Sequence, residues 1–179
     1  MVEVTKLEAA IRQIDAAITL VFNSGDRVVI HTLAAAAANI FSDVIESKNV
    51  CDSWREKVRS EHGLSNAKYR DVVHKAWNFF KHADRNPEGV LGFDERESEY
   101  LIFFATLECG GLNKLSVQMQ TFQLWFLASN ALDFGEGNEL QKIARLVFPN
   151  MNSLSRLEQF HLGRKMLEEQ IKGALNEAH

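Results

Sequence analysis

A chain of 179 residues with 46% apolar and 25% charged residues has the size and balance of one globular domain, so residues 1–179 are read as a single domain around one core. A net charge of -4 and a pI near 5.9 exclude a broad cationic footprint for nucleic acid and leave only a local basic face for that role. The two cysteines, Cys51 and Cys109, have neither CxxC spacing nor a nearby histidine cluster, which excludes a disulfide framework and a structural zinc site and predicts reduced, packed thiols.

In chain order, Met1 to Glu8 lacks the basic start, apolar stretch and cleavage site of a signal peptide, and Thr5-Lys6-Leu7-Glu8 fits a capping box. The helix it opens carries Leu7, Ile11, Ile14, Ile18, Val21 and Phe22 on one stripe and stops at Asn23-Ser24-Gly25-Asp26. A second helix over Val28 to Ser47 would pair with it as an antiparallel hairpin, its Ala34 to Ala38 run letting a neighbour approach closely. Asp52-Ser53-Trp54 opens a short helix ending before His62-Gly63. Ser65 or Asn66 caps a longer one reaching Ala83, with Val72, Val73, Ala76, Trp77, Phe79 and Phe80 inward and Arg70, Asp71, His74, Lys75, Asn78, Lys81 and His82 outward.

Arg85 to Glu95, with Asn86, Pro87, Gly89 and Gly92, reads as a loop. Helical pattern returns over Glu97 to Cys109, stops at Gly110-Gly111, and resumes from about Lys114 to Leu132. The polar residues from Gln118 to Asn130 make that last stretch a buried helix and not a membrane span. Glu139 to Val147 is a further short helix, and Ser153 caps a final one through Leu154, Leu157, Phe160, Met166, Leu167, Ile171 and Leu175. Strand evidence is confined to Val90-Leu91-Gly92-Phe93. The expectation is an all-α, single-domain helical bundle of about 6–8 helices with antiparallel neighbours, cytoplasmic and without a membrane segment.

Three readings converge on the junction near residue 82. First, His74, Asn78 and His82 recur four apart, so one helix face would carry them with Lys81 toward a metal or phosphate ligand; the plain alternative is a solvated outer face with His82 complementing the helix dipole. Second, Lys68, Arg70, Lys75, Lys81 and Arg85 outnumber Asp71 and Asp84, whereas Arg96 stands against Glu88, Asp94, Glu95, Glu97, Glu99 and Glu108. The simplest consequence is attraction between these neighbouring segments. A functional version holds RNA phosphates on the basic face, with Arg70, His74 or His82 as catalytic candidates for a metal-independent ribonuclease. Third, Asp84, Asn86, Glu88, Gly89, Leu91 and Glu95 match positions 1, 3, 5, 6, 8 and 12 of an EF-hand calcium loop, with Asp84, Asn86, Glu88 and Glu95 as ligands; a plain connecting loop is the alternative. His31 on the alanine-rich helix is either a core histidine or a ligand-binding one, and His161 reads as a structural residue beside an apolar stripe. No P-loop, HExxH, GxGxxG or Ser/His/Asp set is present in the sequence.

Ile30-His31-Thr32-Leu33-Ala34-Ala35 and Asn78-Phe79-Phe80-Lys81-His82 resemble segments of small prokaryotic HEPN-like helical proteins, over the first half of the chain. The resemblance implies a helical bundle, often a homodimer, related to RNA-cleaving toxins and nucleotide-binding modules of defence systems. The catalytic signature of such proteins places about four to six residues between arginine and histidine, whereas Arg70-Asp71-Val72-Val73-His74 has three, and Lys75 stands where an arginine would serve His82. A non-cleaving relative follows from that departure. It would act by self-association, or by binding a ligand, RNA or a partner protein, at the face built from His31, Asn78, Lys81, His82 and Asp84.

Overall fold

The computed structural model describes residues 1–49, 52–82, 84, 86–130 and 138–177. These form an all-α fold of helices α1 (Lys6–Phe22), α2 (Arg27–Lys48), α3 (Trp54–His62), α4 (Asn66–Val73), α5 (Lys75–Lys81), α6 (Glu97–Gly111), α7 (Val117–Ser129), α8 (Glu139–Val147) and α9 (Arg156–Glu177), with a 3-10 turn at Met151–Ser153. Cys51, Ala83, Arg85, Leu132 and Gly135 to Gly137, named above, lie outside the described residues. No strand occurs among the described residues, Val90 to Phe93 included.

Local chemistry accounts for most boundaries. Thr5 and Glu8 close the expected capping box, with the Glu8 amide donating to Thr5 Oγ1 at 3.2 Å and the Thr5 amide donating to Glu8 Oε2 at 2.8 Å. Asp26 caps α2, Ser53 caps α3, Ser65 caps α4, Ser116 caps α7 and Asn138 caps α8, each accepting from the amide three residues on. Gly63 ends α3 at φ +59, in the left-handed region that a β-carbon disfavours.

Several boundaries differ from the sequence reading: α6 runs on through Gly110 and Gly111, which were expected to stop it, and α7 starts at Val117 and not near Lys114. The final helix is capped by Ser155, which reciprocates hydrogen bonds with Glu158, while Ser153 belongs to the 3-10 turn before it. The helix expected from residue 65 to 83 bends at His74, whose φ of -101 and ψ of 14 separate α4 from α5. Backbone bonding continues through the bend, with His74 N donating to Arg70 O and Asn78 N donating to His74 O. The cause is the His74 ring, which packs edge-on against Tyr69 at 5.5 Å and Trp77 at 5.4 Å and so turns inward. Val72, expected inside, is 58% exposed instead.

The core lies among α1, α2, α6, α7 and α9. Ile14, Ile18 and Phe22 of α1 meet Ile30, Ala34, Ala37 and Phe41 of α2, Ile102 and Phe103 of α6, and Phe122, Trp125 and Phe126 of α7. Rings pack in a continuous cluster, with Phe103 stacked on Phe126 at 4.4 Å between centroids, Phe22 edge-on to Trp125 at 5.2 Å and Trp125 stacked on Phe160 at 5.7 Å. Gly163 of α9 admits the Phe22 ring, since a β-carbon there would lie 2.4 Å from Phe22 Cε1. Helix α2 is long and apolar enough to cross a membrane by length and composition; here it packs between α1 and α6. Helices α3 to α5 lie outside this core, against the other side of α2 and α6.

Candidate ligand-binding site

Helices α2 and α6 each carry a second stripe that faces away from the core. On α2 it runs through His31, Ala38 and Ser42, and on α6 through Glu97, Leu101, Phe104 and Glu108, in steps of three, four and seven residues that return to one side of a helix. With Trp54 and Val58 of α3 and with Tyr69, Val72, Val73 and His74 of the α4–α5 bend, these residues line a chamber of about 440 Å³ that opens to solvent. Its size and mainly apolar wall, with a few convergent polar groups, are those of a small-molecule site. The small side chain of Ala38 contributes to the opening. The alanine run expected to admit a neighbouring helix therefore serves both faces of α2, with Ala34 and Ala37 in the core.

Glu108 is the chemically distinctive group. It is 6% exposed, and its Oε1 accepts from Ser42 Oγ at 2.8 Å and from the Trp54 amide at 2.7 Å. Oε2 takes no hydrogen bond from the described residues. Burial pushes the carboxyl pKa up to about 7; the Ser42 and Trp54 donors and the Arg55 charge oppose this rise and do not cancel it. The Trp54 ring stacks on Phe104 with centroids 3.8 Å apart, so the α3 start is tied to α6 at the point where its amide reaches Glu108.

Two histidines close the opposite wall. His31 is 2% exposed, its Nδ1 lies 3.3 Å from Ser98 Oγ, and its Nε2 is buried without a hydrogen-bond partner. Its ring sits edge-on to Phe80 at 5.8 Å and Phe93 at 4.9 Å. Burial, together with His74, lowers its pKa to about 4. Burial lowers His74 to about 4 as well, reinforced by Arg55, Arg70 and Lys81. Both rings are neutral at pH 7.

The site residues inferred from sequence are thus split. His31 and His74 share the chamber, and Arg70 joins His74 in a smaller neighbouring one. Asn78, Lys81, His82 and Asp84 line neither. Lys81 Nζ sits 3.7 Å above the Trp77 ring, and His82 Nδ1 is 3.7 Å from Asp84 Oδ1 at an exposed corner. The bend at His74 removes the single helical face that would have aligned His74, Asn78 and His82.

In the 84–95 segment, Asn86 packs over Gly89 and Glu95 reaches Arg27 Nε at 3.4 Å. Among the described residues, no three His, Cys, Asp or Glu side chains gather as a metal site would require. The acidic α6 start also pairs elsewhere than with the basic 68–85 segment. Glu99 is held by Arg156 and lies 4.0 Å from Arg27 Nη1, which joins α6 to α9 and α2.

Glu108, Ser42, Tyr69, Asn39, Trp54 and Tyr100 were not selected as site residues from sequence. One signal was present for Glu108. It interrupts the run from Leu101 to Cys109, where a carboxylate on an apolar helix is rare unless something partners it. Cys109, its neighbour, is a buried thiol pushed up to about 11 by burial, and its Sγ donates to Lys114 O at 3.2 Å. That agrees with the packed thiol expected of it. Compared with family models, with curated proteins and with solved structures, the chain shows no match, so its reading rests on its own residues.

Proposed function

We propose that this protein binds a small organic molecule in the chamber between α2, α3, α4 and α6. The observation that supports it is the polar part of an apolar chamber wall of about 440 Å³, where His31 Nε2 is buried without a hydrogen-bond partner and Glu108 Oε2 takes no donor from the described residues. A buried ring nitrogen left without a partner costs stability, and a hydrogen-bonding group on a bound molecule offsets that cost. Trp54, Phe104 and Tyr100 line the chamber and add aromatic surface for its body.

Screening a fragment collection by chemical-shift perturbation of the full chain tests this. Binders are expected to shift the amides of Ala38, Leu101 and Phe104, and Ala38→Trp, which fills the chamber, is expected to abolish those shifts with the helical circular dichroism retained. A screen without chamber binders, or binding undiminished in Ala38→Trp, overturns the reading.

A second reading is favoured by one property of Glu108. A carboxyl that titrates near pH 7 is suited to passing a proton to or from a bound molecule. In that case Glu108→Gln abolishes turnover of the identified ligand while binding persists. Turnover retained in Glu108→Gln rejects it.

A further inference from the structure

Beside the apolar chamber lies a second one of about 340 Å³, and the two share Asn39, Tyr69 and His74 as a common wall. The rest of its lining has a different character, with Arg55, Arg59 and Arg70 against a single carboxylate, Glu46, among the lining residues. Glu46 is already engaged by Ser53 Oγ at 2.6 Å and Arg55 Nε at 3.6 Å. Arg55 is further bound to Asp43 at 2.7 Å.

The other two arginines keep donors free. Arg59 uses Nη1 for Glu56 and Nε for the Leu64 carbonyl, leaving Nη2. Arg70 donates only Nε, to the Asn66 carbonyl at 3.4 Å, and among the described residues no carboxylate lies within ion-pair distance of it. The Tyr69 hydroxyl, on a side chain 6% exposed, makes no hydrogen bond among the described residues and feels the charges of Arg55, Glu108 and Glu46.

The surrounding charge has the same sign. Residues 54–82 hold seven Lys and Arg against three Asp and Glu, in a chain whose net charge is -4. An anion entering from this side is drawn toward the arginines.

We propose that the molecule held in the apolar chamber carries an anionic group, a phosphate or a carboxylate, which the smaller chamber binds through the Arg70 and Arg59 guanidiniums with the Tyr69 hydroxyl at the junction. This rests on the larger chamber being a ligand site. The ligand class is an amphiphilic anion with an aromatic or aliphatic body. Arginine suits this role because its planar fork offers parallel donors to two oxygens of one anion.

The test compares 1-naphthol, 1-naphthoate and 1-naphthyl phosphate by calorimetry on the full chain, with His74 followed by NMR. At least one anion is expected to bind about tenfold more tightly than 1-naphthol or better, an advantage that shrinks with added salt and is lost in Arg70→Gln. Lys75→Gln, on the exposed outer side of α5, is expected to keep it. The bound anion is also expected to raise the His74 pKa by about one unit, which 1-naphthol does not. Whichever anion gains more separates a phosphate site from a carboxylate site. Equal binding of all three, or an anion advantage surviving Arg70→Gln, overturns the anionic assignment and leaves the apolar chamber standing. Binding by none of the three overturns both.

Discussion

The two faces of the α2–α6 pair are packed to different standards. Toward α1, α7 and α9 the side chains close on one another, and Ile30, Phe41, Ile102, Phe122, Trp125 and Phe126 are fully buried. Toward α3 and α4 the same two helices leave an open chamber, and α3 contributes no buried residue at all. On the first face Trp125 Nε1 donates to Gln159 O at 2.8 Å and Gln123 donates to Thr106 at 3.1 Å, while Gln13 Oε1 of α1 and Arg27 Nη1 at the edge of the core are buried without a hydrogen-bond partner. The second leaves His31 Nε2 buried without a partner, and Glu108 Oε2 and the Tyr69 hydroxyl without a hydrogen bond from the described residues. One region carries the fold and the other holds what the fold does not need, which is where a ligand site is expected.

Truncation separates the two faces most sharply. Trp125→Ala removes a ring in contact with Phe22, Phe122 and Phe160 together with its indole hydrogen bond to the Gln159 carbonyl, at an expected cost of about 3–5 kcal/mol in urea unfolding. Val58→Ala on the chamber wall is expected to cost less than about 1 kcal/mol, because water or a neighbour already has room there. Comparable losses at the two positions would mean that the chamber closes in solution and the contrast is false.

Next in size is the ionic clasp at the edge of the core. Glu99 is buried between Arg156 and Arg27, and Arg156 lies over both Trp125 and Phe160, each 4.8 Å from guanidinium carbon to ring centre. Glu99→Gln keeps the shape and removes the charge that two guanidiniums face, so a loss of about 3 kcal/mol is expected. Arg156→Met restores part of the packing but leaves Glu99 facing Arg27 alone. The double variant is therefore expected to lose less than the sum of the two single losses, measured as a thermodynamic cycle. Additive losses would place the clasp outside the core's cooperative unit.

The well-packed face was the legible one. Its residues recur at helical spacing, and the Thr5-Lys6-Leu7-Glu8 box is a motif read within four residues, so α1 begins where that box sits, whereas the Asp26, Ser116 and Asn138 caps, single side chains, were not picked out. The chamber was not legible, because it is built from a second stripe on helices whose first stripe already accounted for their burial. Nothing local to Ser42 announces that Glu108, 66 residues away, will meet it. The bend at His74 was hidden for a related reason. A histidine between valines and a lysine reads as outward, and only the rings of Tyr69 and Trp77 in three dimensions draw it inward. Charge was misplaced in the same way. The acidic run at α6 suggested attraction to the basic segment before it, yet Arg27 and Arg156, far off in sequence, take Glu95 and Glu99.

The smallest effect is the most diagnostic of the chamber face, and it depends on pH. Glu108 titrates near 7 in the folded chain against an ordinary value of 4.5, so the folded state keeps a proton that the unfolded chain releases. Its contribution is complete below pH 4.5 and is lost as pH rises through 7. His31 and His74 act in the opposite direction, since their folded values near 4 lie below 6.5; their contribution is present above pH 6.5 and is lost as pH falls toward 4. Between about pH 4.5 and 6.5 the two trends oppose each other, and the two histidines outweigh the one carboxyl. Glu108→Gln retains an oxygen for Ser42 and the Trp54 amide and removes the buried charge. It is expected to stabilise the ligand-free protein by about 1 kcal/mol at pH 8, to change little at pH 5, and to steepen the rise in stability between those values, as read from unfolding midpoints across pH. A wild-type residue whose isosteric replacement makes the empty protein more stable is kept for something other than folding. If Glu108→Gln instead destabilises at pH 8, the carboxylate is satisfied by its own surroundings, and the contrast between the two faces loses its chemical half.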